Sequence, residues 1–364
     1  MLQRCSQRVF GAAHVAHPGD PVVFGRDQLS IGDGTNFSKQ KLLGEITASG
    51  DLPMRIGVCA LGLSRSLRYA AALAFAFGGA ALFCAASKEP VAMLSRSLIA
   101  EFVGTFGLCL VGAGVVCTDK WLGPAGTGLL GVALANGIVL SVLVSACLNI
   151  SGGQFNPAVT IALALVGRMR IIPALCYVLV QLSGAAVAGL LLYMVIFNNT
   201  SGKADEDVII ATWNGTPHFV VEELVETGPP PGLEASSRPA EPSDADFATA
   251  AQKVIIIEAV ITFLLMFVIY GTAIDPRRPN VGGFAIGLVV TANILFAGPL
   301  TGAAMNPARV LGTGFMLSES MFWRQHWVYW VGPLAGAIVA AVIYEFAVMD
   351  RKKGAQGASV AIST

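Results

Sequence analysis

Two tripeptides, Asn156-Pro157-Ala158 and Asn306-Pro307-Ala308, and the arginine after the second, Arg309, have residue types and a spacing that suit chemistry. Asparagine caps the orphan N–H groups of a helix start, and proline suits the first helical position because no donor is needed there. Capping alone explains one such tripeptide. It does not explain two, each preceded by a Gly-containing loop (Ser151-Gly152-Gly153-Gln154-Phe155 and Thr301-Gly302-Ala303-Ala304-Met305) and each opening a short apolar stretch. If the two helix starts meet, their amino ends place two partial charges of about +0.5 each at one point, where a cation is repelled. The amides of Asn156 and Asn306 can then donate hydrogen bonds to a neutral polar molecule. A water held by both turns its neighbours away from one another, and a proton wire is interrupted.

Three further residues belong to this chemistry. A guanidinium in hydrocarbon costs several kcal/mol unless it meets water or a partner, so Arg309 is expected to line a lumen, to be tied to loop carbonyls, or both. Glu101 and Glu258 are acids inside apolar segments. The expected role is structural, each accepting hydrogen bonds from unpaired N–H groups of a neighbouring loop. Proton-coupling carboxylates are the alternative.

Other chemistries find little support. There is no HExxH, no GxSxG and no paired aspartate within the apolar segments, and the histidines at 14, 17, 218 and 326 do not cluster. The cysteines at 5, 59, 84, 109, 117, 147 and 176 include no CxxC pair, so neither a zinc site nor a disulfide framework is implied. No catalytic residue, metal or cofactor is expected. The 23 basic and 23 acidic residues cancel, which gives no case for nucleic-acid binding.

The elements that position these residues are membrane elements. Of the 364 residues, 54% are hydrophobic and only 13% charged, against roughly 25% charged in soluble domains, and the mean hydropathy is +0.67. Six apolar stretches, near 98–117, 126–148, 171–197, 252–273, 281–298 and 324–348, are bounded by charges, Pro or Gly and read as spanning helices. The stretches Pro157 to Gly167 and Pro307 to Leu317 cover only about 16 Å each at 1.5 Å per residue, half a bilayer, and read as re-entrant half-helices.

The order helix, helix, half-helix, helix occurs twice. Three crossings per unit invert the second copy, and inverted repeats share a site at the bilayer midplane. The fold class is therefore an all-α membrane protein of six transmembrane helices and two half-helices, with repeats at 96–197 and 252–349. Arg168, Arg170, Arg277, Arg278 and Arg351 to Lys353 fall on one side, which the positive-inside rule makes cytosolic together with the tail 350–364. The connection 198–251 falls on the other side. It carries ten acidic residues against Lys203 and Arg238, Pro229-Pro230-Pro231, and sequons at Asn198, Asn199 and Asn214; it reads as a solvated, largely disordered or PPII spacer. Residues 1–95 belong to neither repeat. Their apolar run Ala70 to Ala86 is a targeting segment, an extra membrane helix or a surface-lying segment.

Four stretches of the chain resemble the aquaporin (major intrinsic protein) family over about residues 96–350: Ser151 to Thr160, Asn306 to Arg309, Ala100-Glu101-Phe102-Val103-Gly104-Thr105 and His326-Trp327-Val328-Tyr329-Trp330-Val331-Gly332-Pro333. The resemblance implies a homotetramer in membrane lipid with one pore per subunit, passing water or small uncharged solutes down their gradients. It also implies a constriction formed by Arg309 with Asn136, Ile294 and Ala303. Strict water channels of the family carry Phe, His and a small residue at those three positions, so Asn136 and Ile294 predict a wider, less polar opening. Val310 after Arg309, and Tyr329-Trp330, favour the water-type branch over glycerol facilitators, with a filter closer to the plant vacuolar group. The membrane, plasma or intracellular (vacuolar or plastid-type), stays open. A proton-coupled transporter using Glu101 or Glu258 and a non-conducting scaffold are the competing readings.

Overall fold

The computed structural model describes residues 29–31, 35–37, 91–197, 217–220, 243–314 and 320–349, in two compact units, Met1–Gly62 and Leu63–Thr364. In the first, β1 (Leu29–Ile31) pairs antiparallel with β2 (Thr35–Phe37), Ser30 opposite Asn36. This strand pair is an exception to the all-α expectation and has no signal in the hydropathy pattern. Residues 70–86, the sequons, the tail from 350 and most of 198–251 lie outside the described residues.

The second unit is all helical among the described residues: α1 (Val91–Leu122), α2 (Gly128–Cys147), α3 (Pro157–Leu165), α4 (Ile171–Phe197), α5 (Asp244–Ile269), α6 (Phe284–Thr301), α7 (Pro307–Gly314), α8 (Ser320–Gln325) and α9 (Val328–Ile343). Six helical stretches, those of α1, α2, α4, α5, α6 and α8 with α9, are long and apolar enough to cross a membrane. The half-helices α3 and α7, at 9 and 8 residues, reach about 13 and 12 Å.

Boundaries differ from the sequence expectation where polar residues support a helix. α1 begins at Val91, not 98, because Arg96 does not interrupt a helix and Ser97 donates to the Ile150 carbonyl. α5 begins at Asp244 instead of 252. Ser243 and Asp246 form a reciprocal capping box there, so the acidic end of the presumed spacer is a helix start. The second half-helix ends at Gly314, short of the expected Leu317. The last crossing is divided, α8 and α9 being followed by a π-helical turn at Tyr344–Val348 that matches one at Tyr270–Ile274 after α5.

The packing follows the repeat. α1 lies on α4 and α5 on α9, while α2 of one repeat packs on α6 of the other. Each half-helix lies against the last helix of the opposite repeat, α3 on α9 and α7 on α4. The core between α2, α5 and α6 (Leu140, Val144, Ile261, Ile286, Val290) closes around Phe155 and Met305, the residues before the two Asn-Pro pairs.

Candidate functional site

Each half-helix starts as its sequence dictates. Asn156 caps α3, its Oδ1 accepting from Ala158 N–H at 2.9 Å. Asn306 does the same for α7 with Ala308 N–H at 2.9 Å. The amide nitrogens do more than the sequence reading anticipated. Asn156 Nδ2 donates to the Met305 carbonyl and Asn306 Nδ2 to the Phe155 carbonyl, both at 2.8 Å. Each loop is thus tied to the other by the asparagine at its end. One N–H of each amide is used in this crossing, and an amide has two.

Phe155 and Met305 have φ of 49° and 52°, the left-handed region that bulky residues avoid. Their backbone groups are held on both sides. Phe155 N–H donates to Glu101 at 2.7 Å and Met305 N–H to Glu258 at 2.8 Å, while their carbonyls accept the crossed asparagines. The Phe155 ring is fully buried, and a Cβ on Gly104 would stand 2.0 Å from it, which is why α1 carries glycine there.

The two glutamates are fully buried and occupied. Glu101 accepts from Ser151 Oγ, Gln154 N–H, Phe155 N–H and Gln181 Nε2. Glu258 accepts from Thr301 Oγ1, Ala304 N–H and Met305 N–H. Tyr329 of the His326 to Pro333 stretch donates to the Thr301 carbonyl at 2.8 Å. Gln181 was missed from sequence; it also donates to Thr160 Oγ1, and a glutamine inside an otherwise apolar helix was the available signal. Asn293 was missed for the same reason and donates to the Ile261 carbonyl and the Met305 sulfur.

Arg309 is tied to loop carbonyls and faces open space. Its Nη1 donates to the carbonyls of Ala303 and Ala304 at 3.1 and 3.3 Å. It also lines two cavities: one of about 180 Å³ walled by Asn156, Asn306, Leu140 and Val144, and one of about 440 Å³ walled by Asn136, Ile294, Gly302 and His218. Asn136, Ile294 and Arg309 are therefore brought to one cavity. Ala303 is fully buried and contributes its carbonyl to Arg309. Pro157, Ala158, Pro307 and Ala308 are buried in the first turns of the half-helices.

The acidic connection is not only a spacer. Pro217 to Val220 lies against the larger cavity, and Phe219 is 2% exposed, packed with Val254, Ala304, Val310 and Tyr329. Gln325 clamps its backbone from both sides, accepting from Phe219 N–H at 3.1 Å and donating to its carbonyl at 2.9 Å. Thr-Pro-His-Phe-Val (216–220) gave no run long enough to suggest packing; one aromatic and a distant glutamine suffice.

At the end of the bundle away from that segment, the basic groups meet. Arg168 pairs with Glu345 through two hydrogen bonds of 2.8 and 2.9 Å, which hold its guanidinium pKa above the usual value. Arg277 bonds Asp275 and the Val348 carbonyl, and its guanidinium holds the Asp275 carboxyl down to about 2. The segments after α3, α5 and α9 are thereby joined.

Residues 88–344 match the family model for major intrinsic proteins. The chain belongs to the aquaporin (major intrinsic protein) family. Among relatives, the probable aquaporin TIP3-2 of Arabidopsis thaliana is 37% identical over 266 residues, covering 70% of this chain and 84% of that protein. Aquaporin TIP4-4 of Zea mays is 37% identical over 256 residues, covering 69% and 85%. The X-ray structure of the aquaglyceroporin from Plasmodium falciparum superposes with a TM-score of 0.54 at 19% identity, over 70% of this chain and 97% of that one, and shares the fold. As a member of this family the chain is an integral multi-pass membrane protein and a passive channel for water and small solutes, not an enzyme.

Proposed function

We propose that the channel passes water and at least one larger neutral solute among ammonia, hydrogen peroxide, urea and glycerol, and excludes protons and metal cations. The observation that carries this reading is Arg309 standing between two cavities, with Asn136 and Ile294 walling the larger one. The cationic side chain and the paired helix starts repel cations. An asparagine and an isoleucine leave room that two aromatic rings would fill. Asn136, Ile294, Ala303 and Arg309 form the filter in this proposal, Ala303 by orienting the arginine. Asn156 and Asn306 offer their remaining N–H groups to the column of solute.

Glu101 and Glu258 support the loops. Their hydrogen-bond partners among the described residues are donors from loop or helix, so they are built into the scaffold and not exposed to a proton path, which speaks against the coupled transporter. The protein assembles as a homotetramer in lipid, with the Arg168, Arg277 and Arg351 end cytosolic. The likeness to the plant relatives favours an intracellular, vacuolar-type membrane.

Stopped-flow light scattering on proteoliposomes tests the reading. The parent should pass water and one or more of the four solutes, and Asn136→Phe with Ile294→His should reduce solute flux more than water flux. A parent that passes water alone, or a double variant that lowers both fluxes equally, overturns it.

A further inference from the structure

Asn136 does not extend across the cavity it lines. The residue is fully buried, and its Nδ2 donates to the Val132 carbonyl at 2.9 Å on its own helix and reaches the Gly112 carbonyl of α1 at 3.5 Å. Its Oδ1 has no hydrogen-bond partner among the described residues, an arrangement that buried amides avoid. The oxygen lies against the bare Cα of Gly112: a Cβ built there would stand 2.5 Å from Oδ1 and 3.4 Å from Cγ. An amide oxygen in that place meets only a weak C–H donor. The side chain is folded back against α1 because α1 has no side chain at this one position.

We infer that Gly112 sets the aperture of the channel by giving Asn136 a recess to lie in. This rests on the reading that Asn136 belongs to the filter, and it adds a residue on another helix that no solute touches. Gly112 is a positioning residue: with any Cβ at 112, the Asn136 amide moves by about 1 Å or more to regain van der Waals separation. Behind it are the backbones of α1 and α2, so the open direction is the cavity shared with Ile294 and Arg309. The displaced amide narrows the opening and gains, in the lumen, the partners its oxygen lacks. The obstructing atom is the end of a flexible side chain, and alanine favours a helix over glycine, so α1 itself tolerates the change.

The test compares Gly112→Ala, Asn136→Ala, Asn136→Gln and Gly112→Ala/Asn136→Ala in proteoliposomes, with water and the largest of hydrogen peroxide, urea and glycerol that the parent passes. Gly112→Ala should lower the solute-to-water flux ratio by about tenfold, the low end of what one methylene discriminates in a close-fitting site. Asn136→Gln, too long for the recess, should do the same without altering α1. Removing the amide from the alanine background should return the ratio to that of Asn136→Ala alone. A purely structural role for Gly112 would lower both fluxes together and would not be relieved by Asn136→Ala. If the Asn136 variants change the ratio while Gly112→Ala leaves it unchanged, the inference fails and the filter reading stands. If neither Asn136 variant changes any flux, the filter reading itself fails at 136. Should the parent pass neither these three solutes nor ammonia, the broad-solute reading fails, and water flux reports the same loss and rescue.

Discussion

Replacing Asn306 by Asp sets a carboxylate where α3 and α7 meet, and the structure allows its effects to be separated. The two helix starts act together as about one positive charge, which at roughly 5 Å and an effective dielectric of 20 repels a monovalent cation by about 3 kcal/mol. A carboxylate at the same place offsets about that amount, so cation conductance should rise about a hundredfold. The helix cap survives, since an aspartate oxygen still accepts from Ala308 N–H. The tie to the Phe155 carbonyl does not, and leaving that acceptor buried costs about 1–3 kcal/mol of stability. Asn306→Ala removes the same tie without adding charge. It also removes the cap on Ala308 N–H, so it should lose about 1 kcal/mol more than the aspartate variant in detergent thermal melts yet stay closed to ions. Conductance in planar bilayers and dye-reported proton flux in proteoliposomes measure the leak, with water flux as the control for folding. If Asn306→Asp passes water normally while ion conductance stays at background, or if Asn306→Ala leaks equally, the electrostatic account is wrong.

Other consequences are simpler to test. Deleting 222–241 should leave assembly and flux intact, whereas Phe219→Ala, at about 3 kcal/mol for an emptied aromatic site, should undock 217–220 and expose it to protease; resistance equal to the parent's would show that Phe219 does not anchor it. The Asp275 carboxyl titrates near 2 in the folded protein, below its ordinary value of about 3.9, so the pairing with Arg277 stabilises fully above about pH 4 and is lost as pH falls toward 2. Thermal melts of the parent and Asp275→Asn should differ at pH 6, by about half as much at pH 3, and converge only below about pH 2; a constant difference would assign the effect to packing. A tag at Glu234 should be shielded from cytosolic protease in sealed membranes, and cleavage there would reverse the proposed orientation.

The parts legible in the sequence were those written in hydropathy and in paired motifs. Apolar length marked six crossings and two half-crossings, and duplication of Asn-Pro-Ala raised a common cap to a shared site. Polar boundaries were not legible, because Ser243 and Asp246 look like spacer until seen closing a capping box. Nor were side chains whose role depends on what faces them. Gln181 and Asn293 stand out as amides inside apolar helices and Gln325 does not, yet the backbone or carboxylate groups that each satisfies lie far along the chain and show only in the fold. Asn136 was identified by position in the resemblance, but the conformation that decides its effect is set by a glycine on another helix.

The exchange of hydrogen bonds between Asn156 and Met305 and between Asn306 and Phe155 also constrains the order of assembly. A carbonyl at membrane depth without a donor is costly, and each repeat's loop depends on the other repeat for its donor. The first repeat, emerging alone, has a completed Glu101 network on one side of Phe155 and nothing on the other. Its half-helix can be inserted early but becomes rigid only when residue 306 arrives. The central site is thus cooperative across the whole length of the chain: it is absent from either repeat alone and appears in one step when they close on each other.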